Sequence, residues 1–221
     1  MTESPLESIT PPTQEERYSE RENDKMIFEY LKLGMDVADE AFNSIYPERI
    51  NKFARSHWTP VRVAKVAAQF LAETPGAKVL DIGSGAGKFC MIGSVFTKGH
   101  FTGVEQRESL YQLSNRLLQC YRLLNVKFIH SNITQIEFRE YNAFYYFNSF
   151  FENIEQSKAI DNTVEIDKHL YGLYSEYMRE QLSGMPIGTR LATYWSDEVP
   201  VGYKLQSENF DGFLKMWEKT S

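Results

Sequence analysis

The chain has 221 residues, 42% of them hydrophobic, which suits one α/β domain with an extension. Its formal net charge of −6 and pI near 5.4 argue against nonspecific duplex DNA binding as the main role, because such binding draws on a positive face. No apolar run approaches a bilayer-spanning length, no signal peptide is visible at the acidic N-terminus, and two cysteines make neither a disulfide framework nor a metal cluster. A cytoplasmic protein with no membrane partner and no metal is therefore expected.

Residues 1–24 are rich in Glu, Ser, Pro and Thr without apolar periodicity, and read as a flexible tail. Lys25 to Tyr46 carries Ile27, Leu31, Ala38, Phe42 and Ile45 at helical steps and is expected to form one helix that Pro47 ends. Thr59-Pro60 then opens a second helix over Val61 to Thr74, with Thr59 as its N-cap and Pro60 at its first position. Residues 25–74 are read as an N-terminal helical cap ahead of a domain spanning 75–221. His57, just before that helix, reads first as a packed or surface histidine.

The stretch Lys78 to Phe89 organises the rest. Lys78 to Ile82 reads as a buried parallel strand, and Gly83, Gly85 and Gly87 alternate with Ser84 and Ala86 before a helix over Lys88 to Phe96. The spacing departs from Gly-x-Gly-x-x-Gly, whose third glycine falls on Lys88, and from a P-loop, which needs glycine where Ile82 stands. Gly-x-Gly-x-Gly behind Val-Leu-Asp-Ile resembles the first motif of class I S-adenosylmethionine (SAM) methyltransferases. The resemblance implies that Asp81, Gly83, Ser84, Gly85 and Gly87 surround the methionine part of SAM.

A second strand, Phe101 to Glu105, ends in an acid about twenty residues past the glycine turn, the distance at which a carboxylate takes ribose hydroxyls. A helix over Glu108 to Leu124 follows, with Leu110, Leu113, Leu117, Cys120 and Leu124 marking its buried side, and then a third strand, Val126 to His130. Many class I enzymes carry an Asp where Asn132 stands. Asn132 and its neighbour Ile133 are accordingly expected at the adenine, with Gln106 and Arg107 as weaker candidates for its edge.

The fourth strand, Asn142 to Phe147, ends in Asn148-Ser149-Phe150-Phe151-Glu152-Asn153 at the switch point of the sheet, where ligands bind. Asn148 is expected to border the cofactor and orient the methyl acceptor, Phe150 and Phe151 to line the pocket, and Glu152 to serve as a base. Adenine-N6 and other amino-methyltransferases resemble this chain at Thr59-Pro60, a likeness that places Thr59 near the SAM carboxylate, and at Asn148 with Phe151. Ser149-Phe150 stands where they carry Pro-Pro. The order Asp-Ile-Gly-Ser-Gly-Ala-Gly, Gly-Val-Glu and Asn-x-Phe also resembles seven-strand histone lysine methyltransferases.

Asn162 with Glu165 is expected to open a helix striped by Ile166, Leu170, Leu173, Tyr174 and Tyr177 and stopped by Gly184. Strands near 189–195, 201–206 and 213–218 complete the count. The resemblance implies a three-layer, doubly wound, Rossmann-like seven-strand sheet with its last strand antiparallel. The expected activity is methyl transfer from SAM, leaving S-adenosylhomocysteine (SAH), to a nitrogen or oxygen of a small molecule or protein side chain. The alternatives are a nucleic-acid base amino-methyltransferase and a SAM-binding module without catalysis.

Overall fold

The computed structural model describes residues 25–221; the tail reading of 1–24 lies outside the described residues. Seven strands form one sheet in the order β3-β2-β1-β4-β5-β7-β6. β1 (Lys78–Ile82), β2 (His100–Glu105), β3 (Val126–His130), β4 (Ala143–Tyr146) and β5 (Arg190–Tyr194) run parallel. β7 (Leu214–Lys219) inserts antiparallel between β5 and β6 (Tyr203–Asn209). The strand order reverses between β1 and β4, the place where an open α/β sheet leaves a crevice at its carboxyl edge.

The central strands are buried on both faces, as their continuous apolar runs require. One face packs on α5 (Val61–Leu71), α6 (Lys88–Phe96) and α7 (Glu108–Tyr121), through residues such as Val63, Ala67, Met91 and Leu113. The opposite face, carrying Leu80, Ile82, Phe144 and Tyr146, packs on α8 (Lys168–Ser183) through Tyr174, Met178 and Leu182. The result is three layers with a doubly wound sheet in the middle.

The N-terminal segment differs from the single helix expected over Lys25 to Tyr46. A helix α1 covers 25–32, the chain then turns at Gly34 with φ of +74°, and α2 resumes only at Asp39–Asn43. Short helices α3 (Glu48–Asn51) and α4 (Ala54–His57) follow. Phe28 of α1 rests on Tyr121 of α7 with ring centroids 4.8 Å apart, so the segment joins the main core.

The start of α5 also differs. Pro60 is the N-cap rather than the first helical residue, and no side chain of its own caps the helix. Asp39 does so from α2, its Oδ1 accepting from the Val61 N–H at 3.0 Å. Thr59 is free of that task and its hydroxyl pairs with the Tyr145 hydroxyl at 2.8 Å. α7 stops three residues short of expectation, at Arg122 in the left-handed region with φ of +53°, which leaves Leu124 91% exposed instead of buried. α8 opens not at Asn162 but at Asp167, whose side chain accepts from the His169 N–H at 2.7 Å. Its buried stripe runs through Tyr174, Met178 and Leu182, while Leu173 lies outward.

Gly87, which precedes α6 with φ of +80°, shows how tightly the glycine turn is seated. A Cβ there meets the Phe128 ring at 2.4 Å and Ser114 Oγ at 3.1 Å. Gly87→Ala is expected to lower unfolding stability by about 2–4 kcal/mol, from overpacking plus the cost of left-handed backbone. Urea denaturation with an unchanged midpoint would contradict this account of the turn.

Candidate active site

The carboxyl ends of β1 to β5 surround one cavity of about 580 Å³, within the range of small-molecule and cofactor sites. Every residue singled out as a site candidate in the sequence lines it except Gly87. The turn after β1 contributes Gly83, Ser84 and Gly85; β2 contributes Glu105 and Gln106; the turn after β3 contributes Asn132 and Ile133. Asn148, Phe150, Phe151 and Glu152 come from the segment after β4. Gly87 lies behind the wall, where it makes room for Phe128.

The charged end is built by burial. Asp81 is 4% exposed at the tip of β1, and burial pushes its carboxyl up to about 7; the Cys90 thiol, donating at 3.4 Å, pulls it down, and the Glu105 charge raises it further. Glu105 is equally buried, and desolvation raises its carboxyl as well, against the pull of backbone donors. Its Oε2 accepts from the Gly85 N–H at 2.9 Å and its Oε1 from the Arg107 N–H at 2.8 Å. These bonds fix the carboxylate against the glycine turn, and each oxygen keeps a lone pair for a hydroxyl.

These residues fit a cationic nucleoside cofactor on three counts. A Cβ placed on Gly85 meets no protein atom within 4 Å, so the turn's backbone borders open cavity. Ser84 Oγ is buried in the same lining with no hydrogen-bond partner. Asp81 and Glu105 place two acids where a positive ligand gains most from low dielectric.

Asn132 is oriented differently from expectation. Its Oδ1 accepts from the Thr134 N–H at 3.0 Å and the Thr134 hydroxyl at 2.9 Å, and its Nδ2 donates to Gln106 Oε1 at 3.2 Å and the Tyr174 hydroxyl at 2.9 Å. A backbone N–H can only donate, so the amide oxygen is committed to its own turn and the acceptor expected for the adenine amino group is engaged. Asn132 thus holds Gln106 and Tyr174 in the cavity wall.

Glu152 is likewise withdrawn from proton transfer. Arg107, 3% exposed, grips both its oxygens at 2.7 and 2.8 Å and donates from Nε to Asp161 Oδ1 at 3.0 Å. This triad ties the segment after β4 to the end of β2. Arg107 was a weak candidate for the adenine edge, and nothing in the spacing of residues 107, 152 and 161 announces the pairing.

The other end of the cavity is aromatic and largely unforeseen. Phe53, His57, Trp58, Tyr145, Phe147 and Trp195 join Phe151 in the lining. Tyr145 stacks on Phe89 with centroids 3.8 Å apart and holds Thr59 through its hydroxyl. Asn148 stands at the head of this wall in left-handed backbone with φ of +42°. Its carbonyl accepts from the Phe151 N–H at 3.0 Å, and the residue lines the cavity.

Arg107→Met leaves Glu152 and Asp161 buried without a counter-charge. A loss of about 3–5 kcal/mol in unfolding free energy is expected by denaturant titration; a loss under about 1 kcal/mol, as for a surface pair, would show that the triad is not the anchor of this wall.

A sequence family described as a methyltransferase domain matches residues 73–180. No curated protein matches the chain. Among solved structures the fold is similar to TrmN from Thermus thermophilus, at 18% identity over 77% of this chain and 52% of that one, with a TM-score of 0.53. It is similar to an RNA methyltransferase from Salinibacter ruber in complex with SAH, at 15% identity over 74% and 94% of the two chains and a TM-score of 0.50. A SAM-dependent O-methyltransferase from Thermotoga maritima matches at 16% identity over 79% and 71%, also with a TM-score of 0.50. Glycine turn, strand-end acids, seven-strand order and the methyltransferase-domain match over residues 73–180 agree: the chain has a Rossmann-like methyltransferase fold, and its activity is methyl transfer from S-adenosylmethionine.

Proposed function

We propose that the methyl group goes to a nitrogen or oxygen of a small molecule or protein side chain, and not to a base within a nucleic acid. The observation that carries this is the acceptor end of the cavity. Phe53, Phe147, Phe151 and Trp195 form an uncharged wall there, and both cations of the lining, Lys88 and Arg107, are buried and paired with acids. A nucleic-acid strand needs cations open to its phosphates. The net charge of −6 points the same way.

When bound, the cofactor supplies a methyl group on a sulfonium with a good leaving group, so the protein's part is alignment. Gly85 and Glu105 hold one reactant, and Asp81 offers a counter-charge to its positive end. The Asn148 amide accepts from the acceptor's N–H or O–H and so points the lone pair at the methyl. Thr59, held by Tyr145, lines the same cavity. Two unpaired thiols, Cys90 and Cys120, suit a reducing cytoplasmic setting. No helix among the described residues is long and apolar enough to cross a membrane.

Tritiated SAM incubated with fractionated cell extract tests the acceptor class. Label is expected in small molecules or protein and to resist nuclease; label released by nuclease overturns the reading. On the labelled fraction, Asn148→Ala is expected to cut turnover about a hundredfold, the cost of a misplaced reactant, with SAM affinity unchanged.

Asp81 gives a pH test. Its folded-state value of about 7 lies above the 3.8 of an ordinary aspartate. Between those values the folded protein keeps a proton that the unfolded chain has released, so stability falls as pH rises through that window and is flat beyond it. Asp81→Asn is therefore expected to be more stable than wild type at pH 8 and similar near pH 4. SAM affinity of the wild type should climb up to tenfold per pH unit below 7 and level off above. The variant should bind SAM weakly with no such climb, and a calorimetric pH series in which both proteins behave alike would contradict the role given to Asp81.

A further inference from the structure

Two residues of the cavity lining other than glycine adopt left-handed backbone: Asn148 with φ of +42° and Trp195 with φ of +52°. They follow the neighbouring strands β4 and β5, so both stand at the acceptor end of the sheet. Asparagine visits this region readily; a residue as bulky as tryptophan is an outlier there, and such outliers gather at functional sites. The strained turn is held by the Trp195 N–H, which donates to the Phe213 carbonyl at 3.0 Å.

The indole is placed as a platform. It stacks on Phe213 with centroids 3.8 Å apart and planes 20° from parallel. Trp195 lines the cavity and Phe213 does not, so Phe213 backs the indole from outside and fixes its plane. Trp195 is nonetheless 53% exposed, a large flat surface left open at the cavity that Asn148 also lines. Phe147, tilted against Tyr194 at 4.7 Å, continues the wall from β4.

We propose that Trp195 is the stacking residue for the methyl acceptor, and that the acceptor is a flat conjugated ring carrying the amine or hydroxyl that Asn148 orients. The inference rests on the methyl-transfer reading above and narrows its substrate class. A ring stacked on a fixed indole has its plane set before reaction, which in-line transfer needs. An aliphatic acceptor gains contact area from the same wall but no such orientation. A flat ring reaches the site either as a free small molecule or as a nucleobase; the paired cations of the lining favour the free molecule.

The test uses the full chain saturated with SAH and three probes: quinoline, the neutral saturated bicyclic ketone 2-decalone, and a single-stranded oligodeoxynucleotide. Trp195→Gly removes the indole and suits left-handed backbone, so the turn keeps its shape; Trp195→Phe keeps a smaller ring. Quinoline is expected to bind the wild type by calorimetry at least about tenfold more tightly than 2-decalone, a difference the ring stack alone can supply between two uncharged bicycles. Trp195→Gly should erase that preference, Trp195→Phe should keep most of it, and all three proteins should bind SAH within about twofold of one another. The proposal is overturned if quinoline fails to bind, if 2-decalone binds as well, or if Trp195→Gly leaves the preference intact. An oligonucleotide that displaces quinoline in a Trp195-dependent way, and that accepts labelled methyl in a parallel incubation with labelled SAM in place of SAH, would support the platform but overturn the small-molecule reading. Loss of SAH binding in the wild type would overturn both.

Discussion

The structure depends on a turn that has no room for a Cβ at two of its three glycines. Gly83, Gly85 and Gly87 all have positive φ, and Gly83 and Gly87 are confined from different directions. At Gly83 a Cβ meets the Ser149 side chain at 2.5 Å, at Gly87 it meets Phe128 of β3, and at Gly85 it faces open cavity. Gly103 of β2 repeats the pattern, since a Cβ there meets Ser84 at 2.6 Å. The turn is thus wedged between the ends of β2, β3 and β4, and the only direction left open is toward the ligand. Close packing around a bare backbone places the cavity floor to within a fraction of a side chain.

Burial then decides what each charge in the site can do. Asp81 and Glu105 sit close in low dielectric, and both are pushed toward the neutral form. A cation entering the cavity relieves that cost, so part of the stability given up by the empty site returns on binding. Glu152 has the opposite circumstances. Its bidentate pairing with Arg107 satisfies it fully and makes it a strut instead of a reagent. The carboxyl groups of the cavity wall thus differ in role because a guanidinium grips Glu152 through both oxygens and does not hydrogen-bond Asp81 or Glu105.

The sheet was legible in the sequence because its signals are local. β1, β3 and α6 have the bounds read from apolar runs, glycines and helical spacing. The N-terminal segment was not, because apolar periodicity can continue across a break: Gly34 divides what Ile27, Leu31, Ala38 and Phe42 suggested was one helix. Thr59 carries the right chemistry for a cap, yet a tyrosine 86 positions away takes its hydroxyl and Asp39 caps the helix from outside. Arg107 finds its partners 45 and 54 positions downstream, a separation for which no sequence rule exists. Cavity-lining residues on strand ends could be read from topology; those fixed by long-range polar pairing could not.

One such pairing bears on how the N-terminal segment relates to catalysis. Asp39 Oδ1 accepts at once from Lys88 Nζ at 2.5 Å and from the Val61 N–H at 3.0 Å. Lys88 is the first residue of α6, directly behind the glycine turn, and burial lowers its pKa against the support of Asp39. The Tyr46 hydroxyl adds a bond to the Ala86 carbonyl within the same turn at 3.2 Å, and Tyr46 in turn packs on Trp58 in the cavity wall at 4.4 Å. The segment that carries Phe53, His57 and Trp58 is therefore fastened to the glycine turn. Through Asp39 and Tyr46, the part of the cavity lining that comes from the N-terminal segment and the glycine turn form one connected scaffold.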